Sequence, residues 1–258
     1  MGTFATDTAV RPLGDGSYEY DIGAEWWVVA GPNGGYLAAI AVHALQAAAD
    51  PGDRPLRSLT IHYLRAPEAG PATIDVTLER EGRSVTFARL AMSQDGRQFA
   101  TGLAVLSRGG EGFELATVRA PDVPGPDEIA ALPDADGAPP FARHFDYRPA
   151  VEPAQGGEAV TGGWLRLRHE DHALDAALVA ALCDSWFPAI FSVVHEPMAV
   201  PTLDLTVHLR APLPREADWV LGRFATRTAG DGLLEEDAEL FSPDGVLLAH
   251  SRQLALAR

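Results

Sequence analysis

Two places in the chain combine residue types that can do chemistry. The first is Gly31-Pro32-Asn33-Gly34-Gly35-Tyr36, at the start of the alanine-rich helical stretch Tyr36–Ala49. Unpaired backbone N–H groups and the positive end of a helix dipole can polarise a carbonyl oxygen there. Asn33, Gly34, Gly35 and Tyr36 are therefore candidate oxyanion or substrate-binding residues. A glycine turn with Asn33 as N-cap explains the same residues more simply, and the spacing is not that of a phosphate loop or dinucleotide fingerprint. The second place is Asp184, near the C-terminal end of a second helical stretch, His172–Phe187. Its helical neighbours Ala180, Ala181 and Phe187 put it on or beside an apolar stripe. A carboxylate buried on that stripe needs donors, and such a position is often functional; a half-exposed residue at a helix end is an equally good reading. Thr202, opening a strand, and Gln253, in the last strand, are polar residues whose spacing alone singles out neither.

Other constellations are weaker. His169, Asp171 and His172 cluster without a third ligand at metal spacing, and Glu170, Asp171 and Asp175 suit the first turn of a helix. Asp204 and His208 share a strand face, but an acid–base pair also needs a pocket. Ser93, Ser185 and Ser251 lack a nucleophile-elbow pattern. Cys183, the single cysteine, reads as a small core residue. Arg65, Arg83 and Arg210 could meet ligand phosphates, although surface positions explain them as well.

The elements that must position these residues come twice. Leu64-Arg65-Ala66-Pro67 recurs as Leu209-Arg210-Ala211-Pro212, and Ser93-Gln94-Asp95-Gly96 as Ser242-Pro243-Asp244-Gly245, displaced by 145 and 149 residues. Two ordered matches at nearly one spacing imply a duplicated module. In the first half, short strands at Thr8–Arg11 and Ser17–Tyr20 precede the helix, which Pro51-Gly52 ends. Strands Leu56–Leu64, Ala72–Glu81, Ser84–Met92 and Gln98–Ser107 follow. Residues 108–140, rich in glycine, proline and aspartate, read as a surface connection. The second half repeats the order: strands Ala142–Pro149 and Gly163–Arg168, the second helix, then Thr202–Arg210, Trp219–Thr228, Leu233–Phe241 and Val246–Ala257. In Thr202–Arg210, Leu203, Leu205, Val207 and Leu209 point one way, and Thr202, Asp204, Thr206, His208 and Arg210 the other. One helix and an antiparallel meander per half is an α+β plan.

Composition narrows the classes. The chain of 258 residues has a formal charge of −16, and all 20 basic residues are arginine, which argues against a nucleic-acid surface and against anionic membranes. Residues 1–10 lack the features of a signal peptide, and no apolar run approaches the ~20 residues of a membrane span. A soluble, cytoplasmic protein is expected.

With these motifs in place, the chain resembles the acyl-CoA thioesterase II-like family, as a divergent member. The resemblance rests on Gly31–Tyr36 and its small-residue helix, on Ser58–Arg65 and Gly82-Arg83-Ser84, and on Pro201-Thr202-Leu203-Asp204, Asp244–Ala249 and Ser251-Arg252-Gln253. It implies two tandem hot-dog folds, each a curved antiparallel sheet wrapped around one long central helix: residues 1–107, a connecting segment 108–140, and residues 141–258. It also implies hydrolysis of an acyl-CoA thioester, with Asp184 as general base on a water that Thr202 and Gln253 orient. Backbone N–H groups near Gly34 and Gly35 would stabilise the oxyanion, and neither metal, cofactor nor covalent intermediate is required. Trp26, Trp27, Tyr36, Trp186 or Phe187 would line an acyl tunnel, unless they simply pack the core. Two alternatives share the architecture: an acyl-thioester hydratase or dehydratase, for which Asp204 with His208 is the candidate pair, and a non-catalytic acyl-CoA or lipid-binding module. Two hot-dogs in one chain satisfy each other's pairing, so a monomer suffices, and free sheet edges leave room for a homodimer.

Overall fold

A computed structural model of the chain describes residues 2–49, 54–135, 137–153, 157–196, 198–214 and 218–258. The first half contains α1 (Phe4–Asp7), β1 (Arg11–Gly14), β2 (Ser17–Ile22), α2 (Gly34–Ala49), β3 (Leu56–Tyr63), β4 (Gly70–Glu81), β5 (Val85–Gln94) and β6 (Arg97–Ser107). The second half contains β7 (Phe145–Val151), β8 (Ala159–Leu167), α3 (Ala176–Leu182), β9 (Thr202–Leu209), β10 (Val220–Thr226), β11 (Ala229–Gly230), β12 (Leu233–Phe241) and β13 (Leu247–Leu256). Pro51 and Gly52, expected to end α2, lie outside the described residues.

All the strands join one antiparallel sheet, in the order β1-β2-β4-β5-β6-β3-β9-β13-β12-β10-β8-β7, with β11 beside β12. The order reads the same from both ends once β3 is equated with β9, β6 with β13, β5 with β12 and so on outward. The halves therefore meet about a local two-fold axis through the β3–β9 pair. Leu59-Thr60-Ile61-His62 in β3 corresponds to Leu205-Thr206-Val207-His208 in β9. Thr60 pairs with Thr206, Ser58 with His208, and His62 with Asp204. The two axial threonines meet their own counterparts, with Oγ1 atoms 3.0 Å apart. This is the self-complementary contact of a symmetric dimer, contained in one chain.

The helices lie on the inner face of the sheet. α2 packs on β3, β4 and β5 and against α3, which is why it is apolar nearly all round rather than along one stripe. Ala38, Ala39, Ala41 and Ala44, with Leu37, Ile40, Val42 and Leu45, are almost wholly buried. Each half is thus a hot-dog fold, the α+β plan expected. Among the described residues no helix is long and apolar enough to cross a membrane.

Four local expectations fail, each for a tertiary or turn reason. Thr8–Arg11 does not form a strand: Thr3 caps α1 with a reciprocal bond to Thr6, and β1 begins only at Arg11. Its hairpin to β2 turns through Asp15 and Gly16, both at positive φ, the type I′ geometry that Asp-Gly favours. Strand β7 begins later than Ala142, because Pro140–His144 forms a 3-10 turn first. The second helix is much shorter than His172–Phe187. The Glu170 carboxylate accepts the Phe4 N–H of α1 at 2.8 Å, so residues 170–174 reach toward α1 instead of coiling, and Asp175 becomes the N-cap. Finally, residues 120–132 are more than a surface connection. Ala120, Val123 and Ile129 pack against Trp164, Leu221 and Phe241, and the Trp164 indole donates to Pro124 O at 2.9 Å.

Candidate active site

The site forms where the N-terminus of α2 meets the end of α3. α3 stops at Leu182, Cys183 is its C-cap, and Asp184 follows in a tighter turn, its N–H donating to Ala181 O at 3.1 Å. Asp184 is therefore just past the helix rather than within it. Asn33 joins the two halves here. Its Nδ2 donates to Asp184 O at 2.8 Å and to Asp184 Oδ2 at 3.0 Å, while its Oδ1 accepts the Tyr36 N–H at 2.8 Å. One side chain thus caps α2 and grips the carboxylate. The Gly35 N–H donates to the same Oδ2 at 2.9 Å.

The glycines here are required by proximity, since a Cβ on Gly35 would lie 2.6 Å from Ala181 O and 3.0 Å from Asp184 Cβ. On Gly34 it would lie 3.0 Å from Asp184 Oδ2 and 3.1 Å from the Tyr63 ring. The Tyr63 hydroxyl closes this side by donating to Gly34 O at 2.7 Å.

Desolvation lifts the Asp184 carboxyl from 3.8 to about 6, against the opposing pull of the Gly35 N–H, the Gln253 amide, the Gly34 N–H and the Asn33 amide. That places a carboxyl group near neutrality, with donors fixing its orientation. The Gly35 N–H, expected free for an oxyanion, is thus engaged by the Asp184 carboxylate.

Thr202 and Gln253 also come together: the Thr202 hydroxyl donates to Gln253 Oε1 at 2.7 Å. Strict alternation would put Thr202 on the outer face with Asp204. A bulge prevents this. Along β9–β13, Asp204 pairs with Leu254 but Thr202 with Ala255, so Leu203 is the extra residue. The bulge turns Thr202 to the inner face that Ala255 and Gln253 share. Elsewhere the alternation is as expected, with Leu205, Val207 and Leu209 buried.

Sequence reasoning missed Glu236. It pairs directly across from Gln253, is 4 % exposed, and accepts from Gln253 Nε2 at 3.1 Å and from the Ala189 N–H at 2.5 Å. Burial, and secondarily the charge of Asp184, push its carboxyl up to about 7. A sequence signal existed: Glu236 occupies the buried phase of β12, between Leu234 and Ala238.

The first half shows what this location looks like without chemistry. The same bulge recurs there, Ser58 pairing with Val105 and Leu56 with Leu106, and Ala88 pairs with Ala104. Leu56, Ala104 and Ala88 therefore stand where the second half has Thr202, Gln253 and Glu236. The first half contributes Asn33, Gly34 and Gly35 instead.

Tyr36 lies in the core. It is fully buried, stacked on Trp26 at 4.9 Å, and its hydroxyl donates to Asp7 O at 2.9 Å. Core packing accounts for Trp26 too, whereas Phe187 is 37 % exposed. Asp204 and His208 do not form a pair: four residues along one strand separate them by about 13 Å, and His208 faces His250 at 5.1 Å.

Comparison with known proteins agrees with the fold. The acyl-CoA thioesterase N-terminal domain matches residues 23–107 and the acyl-CoA thioesterase C-terminal domain residues 123–257. A hot dog fold protein of unknown function from Alicyclobacillus acidocaldarius superposes with a TM-score of 0.90 at 26% identity, over 100% of this chain and 98% of its own. Acyl-CoA thioesterase II from Mycobacterium marinum superposes with a TM-score of 0.82 at 20% identity, over 99% and 98% of the two chains. An uncharacterized protein of Mycobacterium tuberculosis is 25% identical over 289 residues, covering 98% of this chain and 97% of its own length. With both domains matched in order along a double hot-dog, the chain belongs to the acyl-CoA thioesterase family.

Proposed function

We propose that this protein hydrolyses acyl-CoA thioesters to the free acid and CoA, and that Asp184, Thr202 and Gln253 do the chemistry. The observation that carries the proposal is the convergence of these three residues from a helix end and two strands, around a carboxyl group whose surroundings raise it to about 6. The Thr202 hydroxyl spends its hydrogen on Gln253 Oε1, so its lone pairs are left to accept a hydrogen from water. Asp184 accepts the other. As the water oxygen attacks the thioester carbon, its proton passes to Asp184. Collapse of the tetrahedral intermediate breaks the C–S bond, and the thiolate leaves and takes up that proton.

The reading is tested by thiol release from a panel of acyl-CoAs of short, long and aromatic acyl groups. Wild-type protein is expected to release CoA from at least one. Asp184→Asn should lower kcat by 10²-fold or more, on the order of the usual contribution of a general base. Thr202→Val, of similar shape, should lower kcat with KM little changed. Turnover in Asp184→Asn equal to wild type would discard Asp184 as the base. Binding of acyl-CoA without release would favour a carrier.

A further inference from the structure

We infer that Glu236 is a positioning residue, holding the Gln253 amide with its oxygen toward Thr202 and its nitrogen toward the carboxylates; the assignment rests on the thioesterase reading above. An ionised carboxylate only accepts hydrogen bonds. Ala189 N–H satisfies one oxygen of Glu236. The other faces Gln253 and can be satisfied there only by the amide nitrogen. That choice sends Gln253 Oε1 to the Thr202 hydroxyl and leaves the remaining N–H for Asp184.

With the amide reversed, two oxygens would oppose each other at Glu236, and the amide nitrogen would donate to the Thr202 hydroxyl and release its hydrogen. The Thr202 hydrogen would then compete for the water that Thr202 must orient. Burying a carboxylate at a position 4 % exposed is costly unless it is well satisfied. The fold does not demand it, because the first half carries Ala88 at the equivalent position of the same bulged sheet.

The test is a double-mutant cycle on CoA release at about pH 8.5, above the values of both carboxylates. Glu236→Gln keeps the shape and an acceptor for the Ala189 N–H, so its own NH2 is driven toward Gln253 and turns that amide over. Its kcat is expected to fall about 10- to 100-fold, with KM within about threefold of wild type. Adding Glu236→Gln to Gln253→Ala should change kcat by less than about twofold, because the residue through which Glu236 acts is already gone. Losses that multiply in the double variant, or near wild-type kcat in Glu236→Gln, would overturn the assignment. Should Glu236→Gln lose its cooperative thermal transition, the same cycle with Glu236→Ala, copying Ala88, decides by the same criteria. No CoA release by wild-type protein from any substrate overturns the thioesterase reading itself, which separates the two failures.

Discussion

Replacing Asn33 by alanine tests whether a residue of the first half governs the Asp184 carboxylate of the second. The side chain makes three bonds, to Asp184 O at 2.8 Å, to Asp184 Oδ2 at 3.0 Å and from Tyr36 N–H at 2.8 Å. Loss of an N-cap costs about 1 kcal/mol, and loss of a hydrogen bond to a charged group about 1.5–3 kcal/mol. Asn33→Ala should therefore destabilise the fold by roughly 2.5–4 kcal/mol at pH 8. Asn33→Ser retains a capping oxygen and should lose about 1 kcal/mol less.

The two variants should agree on the chemistry. Each removes a donor that favours the ionised form of Asp184. About 1.5 kcal/mol lost from that form alone corresponds to roughly one pH unit. The acid limb of kcat/KM, expected near 6 in the wild type from the raised Asp184 carboxyl, should move to about 7 in both. The assay is thiol release from pH 5 to 9, beside urea denaturation at pH 8. A limb that stays put in folded Asn33→Ser would refute either the role of Asp184 in that limb or its control by Asn33.

Two further outcomes follow from the same geometry. Because the Asp184 carboxyl rises from 3.8 to about 6 on folding, the native state holds this proton more tightly, and that contribution to stability is complete below about pH 3.8 and lost as pH rises through 6. Asp184→Asn should thus be more stable than wild type at pH 8, by up to about 3 kcal/mol, and the difference should vanish near pH 4; equal gaps at both pH values in denaturant titrations would contradict it. Gly35→Ala places a Cβ 2.6 Å from the Ala181 carbonyl oxygen. Backbone cannot yield as a flexible side chain would, so a loss of about 1–3 kcal/mol with weakened turnover is expected, and a melting temperature equal to wild type would show that α2 and α3 are not so closely seated.

Much of the architecture was legible because its causes are local. The alternation of Leu205, Val207 and Leu209 reports one buried face, and all three are buried. Asp95 and Gly96 both take positive φ in the β5–β6 hairpin, as their types suggest. Their counterpart Asp244-Gly245 differs: only Gly245 does so, because Pro243 fixes φ near −65° at the first corner of the turn. The repeat itself foreshadowed the two-fold sheet. Glu236 was also legible, as a charge in the apolar phase of β12, although the alternation there is easily read past.

The site was a different matter, because its causes are long-range. Asp184 could be read as buried or exposed from its neighbours; the approach of Asn33 and Gly35 from about 150 residues away decides its environment. Glu170 looked like a first-turn residue of its own helix and serves α1 instead. Thr202 alternates outward in sequence and is turned inward by a bulge that only its partner strand defines. By itself the sequence determined periodicities and turns, which depend on interactions within a few residues along the chain. The tertiary structure alone decided which polar groups share a water-poor space, because sheet register and helix–helix distance are set by the packing of both halves together.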